Sequence, residues 1–419
     1  MNGKKHFFQN LIICHAMVLV CLPGCTSSES LAERSAKIHD RVLTIDSHID
    51  WPIRQSLYPD FNPGIRHEPE AFDSGQWDII RMEKGGLDAV FMSIYTPQKE
   101  RTEEGHQKAK KQAIEQIEIT RSLVENYPEK LEIALKPEDA IRIERAGKRA
   151  IFIGMENGYP IGKDLSQVQF FFDLGIRYIT LTHSKNNEIG DSSTDEKKEW
   201  DGLSPFGREV VREMNRLGIL IDISHVRDET FWDTIELTKA PVIASHSSVR
   251  AIRNVPRNLS DEMLQAIQEN GGVVQICFFD DHIKEMEQTP EREAALEQLK
   301  EERAALSRGE LTPEEIAQLL EKYREIDEKY PPNKPTLADA IDHIDYVVKA
   351  IGIDHVGIGS DLDGGGGVIG MNDVSQMPNI TQELLVRGYT EEEIRKLWGG
   401  NLMRVFREAI EVSEELQTQ

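Results

Sequence analysis

Positive charge is scarce in this chain. Its 419 residues carry 49 Lys and Arg against 73 Asp and Glu, a formal net charge of −24. Nucleic acid, whose phosphates need a basic face, is thereby excluded as a partner. Cysteine is scarce as well. Of four, Cys14, Cys21 and Cys25 lie near the start, and only Cys277 lies in the remainder. An intramolecular disulfide in that remainder is excluded, and Cys277, inside an apolar run, reads as a small buried hydrophobe. The apolar run Leu11–Leu22, broken by His15, is too short to cross a bilayer as a helix, which needs about 20 residues. No Gly-x-Gly-x-x-Gly follows the first expected strand, so a dinucleotide site lacks support.

What is there begins with an address. Lys4 and Lys5 form a basic start, and Leu11–Leu22 fits the apolar region of a signal peptide. Leu22-Pro23-Gly24-Cys25, followed by Thr26-Ser27-Ser28, resembles a bacterial lipobox, although Pro23 departs from the usual small or β-branched residue. Residues 1–24 are therefore expected to be a lipoprotein signal peptide. Cys25 is expected to carry lipid and to anchor an exported protein at the periplasmic face or the cell surface. An ordinary secretory signal cut nearby is the alternative.

The remainder, 25–419, reads as one domain of ordinary soluble composition, 39% hydrophobic and 29% charged. Short apolar runs suggest strands at Val42–Asp46, Asp88–Ile94, Ala150–Met155, Tyr178–Thr182, Leu220–Ser224, Val242–Ser245, Val273–Phe278 and Val356–Ser360. Helical patterns lie between them. Ser204-Pro205 starts one that Gly218 ends, and Thr390-x-x-Glu393 and Thr312-Pro313-Glu314-Glu315 read as capping boxes. The expected fold is α/β, a (β/α)8 TIM-type barrel, with an open doubly wound sheet as the alternative. The charged stretch between Phe279 and Thr336 reads as a helical insertion after the seventh strand, about 283–335. It is either a solvated addition or a lid over the barrel mouth.

Chemistry gathers at the expected strand ends, where such barrels build their sites. His48 and Asp50 are two apart in an extended chain and point the same way. Later strands run into Glu156, His183, His225, His246 and Asp361. Any one of these alone could be a core histidine, a cap or a turn residue. Together on one rim, without nearby Lys or Arg, they form a dense N/O cluster that a metal would neutralise. Mixed His and carboxylate ligands suit zinc, and two metals sharing a carboxylate account for them better than one.

These residues stand in longer motifs: Asp46-x-His48-x-Asp50, Gly154-Met155-Glu156-Asn157-Gly158, Leu181-Thr182-His183 and Gly202-Leu203-Ser204-Pro205-Phe206-Gly207. Further on come Ile221-Asp222-Ile223-Ser224-His225-Val226, Ala244-Ser245-His246-Ser247-Ser248, Pro256-Arg257-Asn258 and Gly359-Ser360-Asp361-Leu362-Asp363-Gly364. Through them the chain resembles the membrane dipeptidase (renal dipeptidase) family of amidohydrolase-like zinc metallopeptidases, roughly from Val42 to Ala409.

The resemblance implies a roster of roles. His48 and Asp50 would bind one zinc, His225 and His246 a second, and Glu156 would bridge the two Zn2+. A hydroxide bridging the zincs would attack the peptide bond of a dipeptide. Asp361 would shuttle its proton, and His183 would hold the oxyanion. Arg257 would pair with the substrate's terminal carboxylate, a role in which Arg253-Asn254 is a nearby decoy. A homodimer is kept among the partners.

The chain departs from the family in places. Ser184-Lys185-Asn186-Asn187-Glu188 lacks a Cys and a Trp often seen there. Tyr159 replaces a His, and His282 stands about where some relatives place a pocket Tyr. Two alternatives stay open. One is another binuclear hydrolase, acting on a lactone, a cyclic amide or a phosphotriester. The other is a non-catalytic lipid-anchored binding protein.

Overall fold

The computed structural model describes residues 29–67, 75–287, 289–306 and 313–418. The expected signal peptide, Cys25 and the Thr312 cap lie outside them. Val42 still closes the helix Leu31–Arg41, its amide donating to the Ile38 carbonyl at 3.1 Å. The first strand therefore begins later than its β-branched run suggests and includes His48. The strands are β1 (Ile45–Ile49), β2 (Ala89–Tyr95), β3 (Leu131–Ile133), β4 (Arg149–Glu156), β5 (Ile176–Thr180), β6 (Leu220–Asp222), β7 (Ile243–Ala244), β8 (Val273–Ile276) and β9 (Val356–Ile358).

All strand pairs are parallel, in the order β1-β2-β4-β5-β6-β7-β8-β9. The short β3, absent from the sequence reading, pairs with the first residues of β4, Leu131 opposite Arg149, and stays off the ring. A parallel bridge between Ile49 and Leu362 joins the two ends of the sheet. There the Asp361 amide donates to the His48 carbonyl at 3.1 Å, and the Asp50 amide to the Leu362 carbonyl at 2.9 Å. The result is a nearly closed (β/α)8 barrel, not an open sheet.

Alternation along the strands sorts the core into two layers. Val90, Met92, Ile151 and Ile153 face the surrounding helices. Phe91, Phe152 and Tyr178 share a second cluster with Ile45, Leu220, Ile243 and Val273, which begin their strands. The C-terminal helix Asn401–Thr418 adds Leu402, Val405 and Phe406 to that cluster. Phe406 lies 6.0 Å from Phe152, Phe91 stacks on Phe152 at 4.7 Å, and Tyr178 lies 5.3 Å from Phe91. This aromatic pile ends at a tyrosine beside His48. Gly154 gives it room, since a Cβ there would lie 2.1 Å from the Tyr178 ring.

Caps set the helix limits. The Ser204 hydroxyl accepts from the Gly207 amide at 2.8 Å, and Gly218 ends that helix in the left-handed region at φ 72°. Thr390 and Glu393 form the expected capping box. After β8 come the helices Asp280–Ile283, Pro290–Leu306 and Pro313–Lys329, then Leu337–Ile351 leads into β9. The insertion after the seventh barrel strand is thus helical. Buried Arg292 clasps it, donating to Asp327 at 2.7 Å and to the Tyr330 carbonyl at 2.8 Å.

Candidate metal centre

Every residue expected at the site reaches one rim of the barrel. His48 leaves β1 fully buried, with Nδ1 2.8 Å from the Tyr178 hydroxyl. An Nδ1–H given to that oxygen leaves the lone pair on Nε2. This Nε2 lies 3.3 Å from Asp50 Oδ2, 3.7 Å from Glu156 Oε2 and 4.0 Å from Asp361 Oδ1. The other oxygen of Glu156, Oε1, lies 3.1 Å from His225 Nε2, 3.4 Å from His246 Nε2 and 3.5 Å from His183 Nε2. One buried carboxylate at the end of β4 therefore faces two separate groups of donors.

The second group is oriented from behind. His246 Nδ1 lies 2.8 Å from the Ser245 hydroxyl, which donates to Asp222 Oδ2 at 2.6 Å. With that proton committed to Asp222, His246 must donate from Nδ1, and its Nε2 carries the lone pair. Asp222 itself is fixed by the Ser224 and Ser245 amides at 3.0 and 2.8 Å and by the Thr180 hydroxyl. The backbone is strained at this rim. His225 and Asp361 hold positive φ, 67° and 61°, which non-glycine residues adopt where surroundings enforce it.

The donor set fits a metal. His48 Nε2 and Asp50 Oδ1 are buried without a hydrogen-bond partner, a costly state unless something else occupies them. His225 Nε2 and His246 Nε2 approach to 2.8 Å. Burial, then the charge of Arg257, holds His225 well below the usual imidazole range. Burial, then His48, does the same for His246. Both are thus neutral near pH 7, the form that binds metal. Ligating atoms of His48, Asp50 and Glu156 lie within 4.8 Å of one another, as do those of Glu156, His183 and His225, and those of His48, His246 and Asp361. His183 and Asp361 thus stand as near to ligand geometry as the five expected ligands.

A cavity of about 440 Å3 opens over this rim, lined among others by Tyr95, Glu156, His183, Arg257, His282 and Asp361. Arg257 is buried, with Nη2 donating to the His246 carbonyl at 3.1 Å and Nη1 to the Ser247 hydroxyl at 3.4 Å. Arg253 does not line the cavity; it donates to the Asp281 carbonyl at 3.1 Å. A larger cavity of about 680 Å3 lies beside the helix Trp51–Leu57, and none of the expected ligands lines it.

Sequence reasoning missed Tyr95, whose ring meets His183 edge-on at 4.7 Å, and the supports Tyr178, Asp222 and Ser245. Asp222 left a signal: an acid between Ile221 and Ile223 in a strand buried on both sides is a residue with bound partners. Tyr178 left none, because its partner His48 is far away in sequence.

A parallel barrel that gathers imidazoles and carboxylates at one cavity is the architecture of a metal-dependent hydrolase. The family model of membrane dipeptidase (peptidase family M19) matches residues 32–419. Dipeptidase tcpJ of Claviceps purpurea (strain 20.1) is 34% identical over 373 residues, 88% of this chain and 77% of its own. The probable dipeptidase PvdM of Pseudomonas aeruginosa has a similar structure, with a TM-score of 0.76 at 31% identity, over 91% of this chain and 99% of that one. A Rhodobacter sphaeroides metallopeptidase, solved with a phosphinate mimic of L-Ala-D-Ala, shares the fold at a TM-score of 0.70 and 22% identity, over 88% of this chain and 99% of that one. The chain belongs to the membrane dipeptidase family and is a hydrolase, a metallopeptidase of that family.

Proposed function

We propose that this protein hydrolyses the peptide bond of dipeptides at a centre of two zinc ions. The observation that carries the reading is Glu156, whose two oxygens turn to different donor groups, His48 with Asp50 on one side and His225 with His246 on the other. His48 and Asp50 would hold one ion, His225 and His246 the other, and Glu156 would belong to both. Two zinc ions there would supply a water made nucleophilic near neutral pH and positive charge against the developing oxyanion.

The chain's own residues do the rest. Arg257 pairs with the terminal carboxylate of the substrate, for which a planar guanidinium in a buried setting is the fitting donor. His183, beside Glu156 and lining the cavity, donates to the carbonyl oxygen as charge grows on it. Asp361 takes the proton of the attacking water and returns it to the leaving amine. Burial, then the neighbouring Asp50 charge, raises its carboxyl well above the usual range, which suits a group that must hold a proton between steps.

The reading extends to location. The lipobox-like Leu22–Cys25 supports export and a lipid anchor on Cys25. Among the described residues no helix is long and apolar enough to cross a membrane. The testing experiment is elemental analysis of protein purified without chelator, combined with turnover of L,L and L,D dipeptides. Two zincs per chain and release of free amino acids are expected. A reproducible single zinc in folded, zinc-supplied protein would sink the two-ion centre, and an inert but fully loaded protein would sink the dipeptidase reading.

A further inference from the structure

Two further residues have no part in that chemistry. Cys277 follows β8, is fully buried and is the free cysteine among the described residues. His282 sits on the short helix Asp280–Ile283 and lines the cavity. The first reaches Asp361 directly, and the second reaches the first. The Cys277 thiol donates to Asp361 Oδ2 at 3.8 Å, a sulfur distance, and His282 Nδ1 lies 3.7 Å from the same sulfur. Among the described residues no other side chain or amide donates to the Asp361 carboxylate.

We propose that Cys277 is a positioning residue for Asp361: its thiol, held in turn by His282, ties Oδ2 so that Oδ1 is left facing the metal ligands. The proposal rests on the reading above, in which Asp361 moves the proton. Oδ1 lies 4.0 Å from His48 Nε2, on the ligand side. A carboxylate is free to spin about its last bond, and the two oxygens exchange unless one is held. Gly364 lets Oδ1 come close, since a Cβ there would lie 2.5 Å from it, but its amide donates to the Asp361 carbonyl and not to the carboxylate. The thiol is what remains.

His282 settles which way the hydrogens run. Burial, then the charge of Arg257, holds its imidazole down at about 2, so the ring is neutral and has one N–H. Given to sulfur from Nδ1, that hydrogen leaves the S–H for the carboxylate, the stronger acceptor. Burial, then Asp361, pushes the thiol's pKa up, so the proton stays on sulfur. The short helix is pinned as well: His343 Nε2 lies 2.9 Å from the Ile283 carbonyl, and its Nδ1 accepts from the Val249 amide at 3.1 Å. Asp361 is thus reached from β9 by its own backbone and from β8 by a two-step chain of hydrogen bonds.

The test is steady-state kinetics on the zinc-loaded full chain with L-Ala-L-Ala and L-Ala-D-Ala. Cys277→Ala is expected to lower kcat on the order of tenfold with KM within about twofold, the loss of one hydrogen bond that matters in the transition state. Cys277→Ser, which restores a donor, should recover kcat to within about threefold of wild type. His282→Phe should lower kcat less and add nothing in the Cys277→Ala background, since both act through one carboxylate. Zinc content should match wild type throughout. Wild-type kcat in folded Cys277→Ala, or equal losses in the Ala and Ser variants, would overturn the proposal. If the Ala variant does not fold, Cys277→Val takes its place in the same comparison. A zinc-loaded wild type without dipeptide turnover fails differently, and takes down the functional reading first.

Discussion

With Nε buried and unpartnered, Arg257 keeps a donor in hand for the substrate carboxylate proposed above. Arg257→Ala would leave that charge unpaired in a confined site, which costs on the order of 2–5 kcal/mol. kcat/KM on free dipeptides should fall roughly 30-fold to several thousand-fold, while any slow turnover of C-terminally amidated dipeptides barely changes. Equal losses on both substrates would make Arg257 a structural residue. Tyr178 makes a different kind of contribution. Its hydroxyl sits 2.8 Å from His48 Nδ1, so it would act on a metal only through that ligand. Tyr178→Phe keeps the ring against Phe91 and removes the oxygen. Metal affinity on the His48 side should weaken about 10- to 100-fold, as for other partners of ligating histidines, with the second ion unaffected. Zinc titration against a competing chelator reads this without reference to turnover.

At the scale of elements, the insertion offers the cleanest experiment. Arg292 is buried between its helices, and Asp327 also pairs with Lys334 at 3.1 Å. Arg292→Ala should loosen the hairpin alone. Local opening should rise on the order of 10- to 100-fold, seen as faster proteolysis between Pro290 and Lys329 with turnover near wild type. A matching drop in turnover would give the hairpin a role at the cavity. The eight barrel strands were legible because most contain a short apolar run between helical patterns. Their limits were less so. Val42 looks like strand by composition but completes a helix, because the Ile38 carbonyl claims its amide. The short β3 was invisible because Leu131-Glu132-Ile133 is too brief for a period to show. The candidate site was legible residue by residue, since the residues that the structure gathers on one rim stand at strand ends. Its supports were less so: Asp222 left only the signal of an acid in a buried strand, and Tyr178 reaches His48 across the ring, a contact that leaves no local pattern.

For the whole molecule, the proposed ligands come from β1, β4 and the ends of β6 and β7, so a bound metal would tie distant parts of the ring together. Ligands that bind only the folded state stabilise it, by about 2.7 kcal/mol at a hundredfold excess over Kd. Chelation should therefore abolish turnover and lower Tm, and zinc should restore both; an unchanged Tm would mean that the centre is not filled in the folded protein. Cys25→Ala should move the protein from membrane to soluble fraction with activity kept, as fractionation and a dipeptide assay would show. One further consequence follows from the seam between Ile49 and Leu362. The first barrel strand and the last meet there, and His48 and Asp361 are brought together only by that meeting. A growing chain makes His48 early and must wait for Val356 and beyond before the partner exists. With Asp361 in its proposed role, hydrolysis would be deferred until almost the whole chain has been synthesised, and a product cut short before Val356 would be inert however well the rest of it folds.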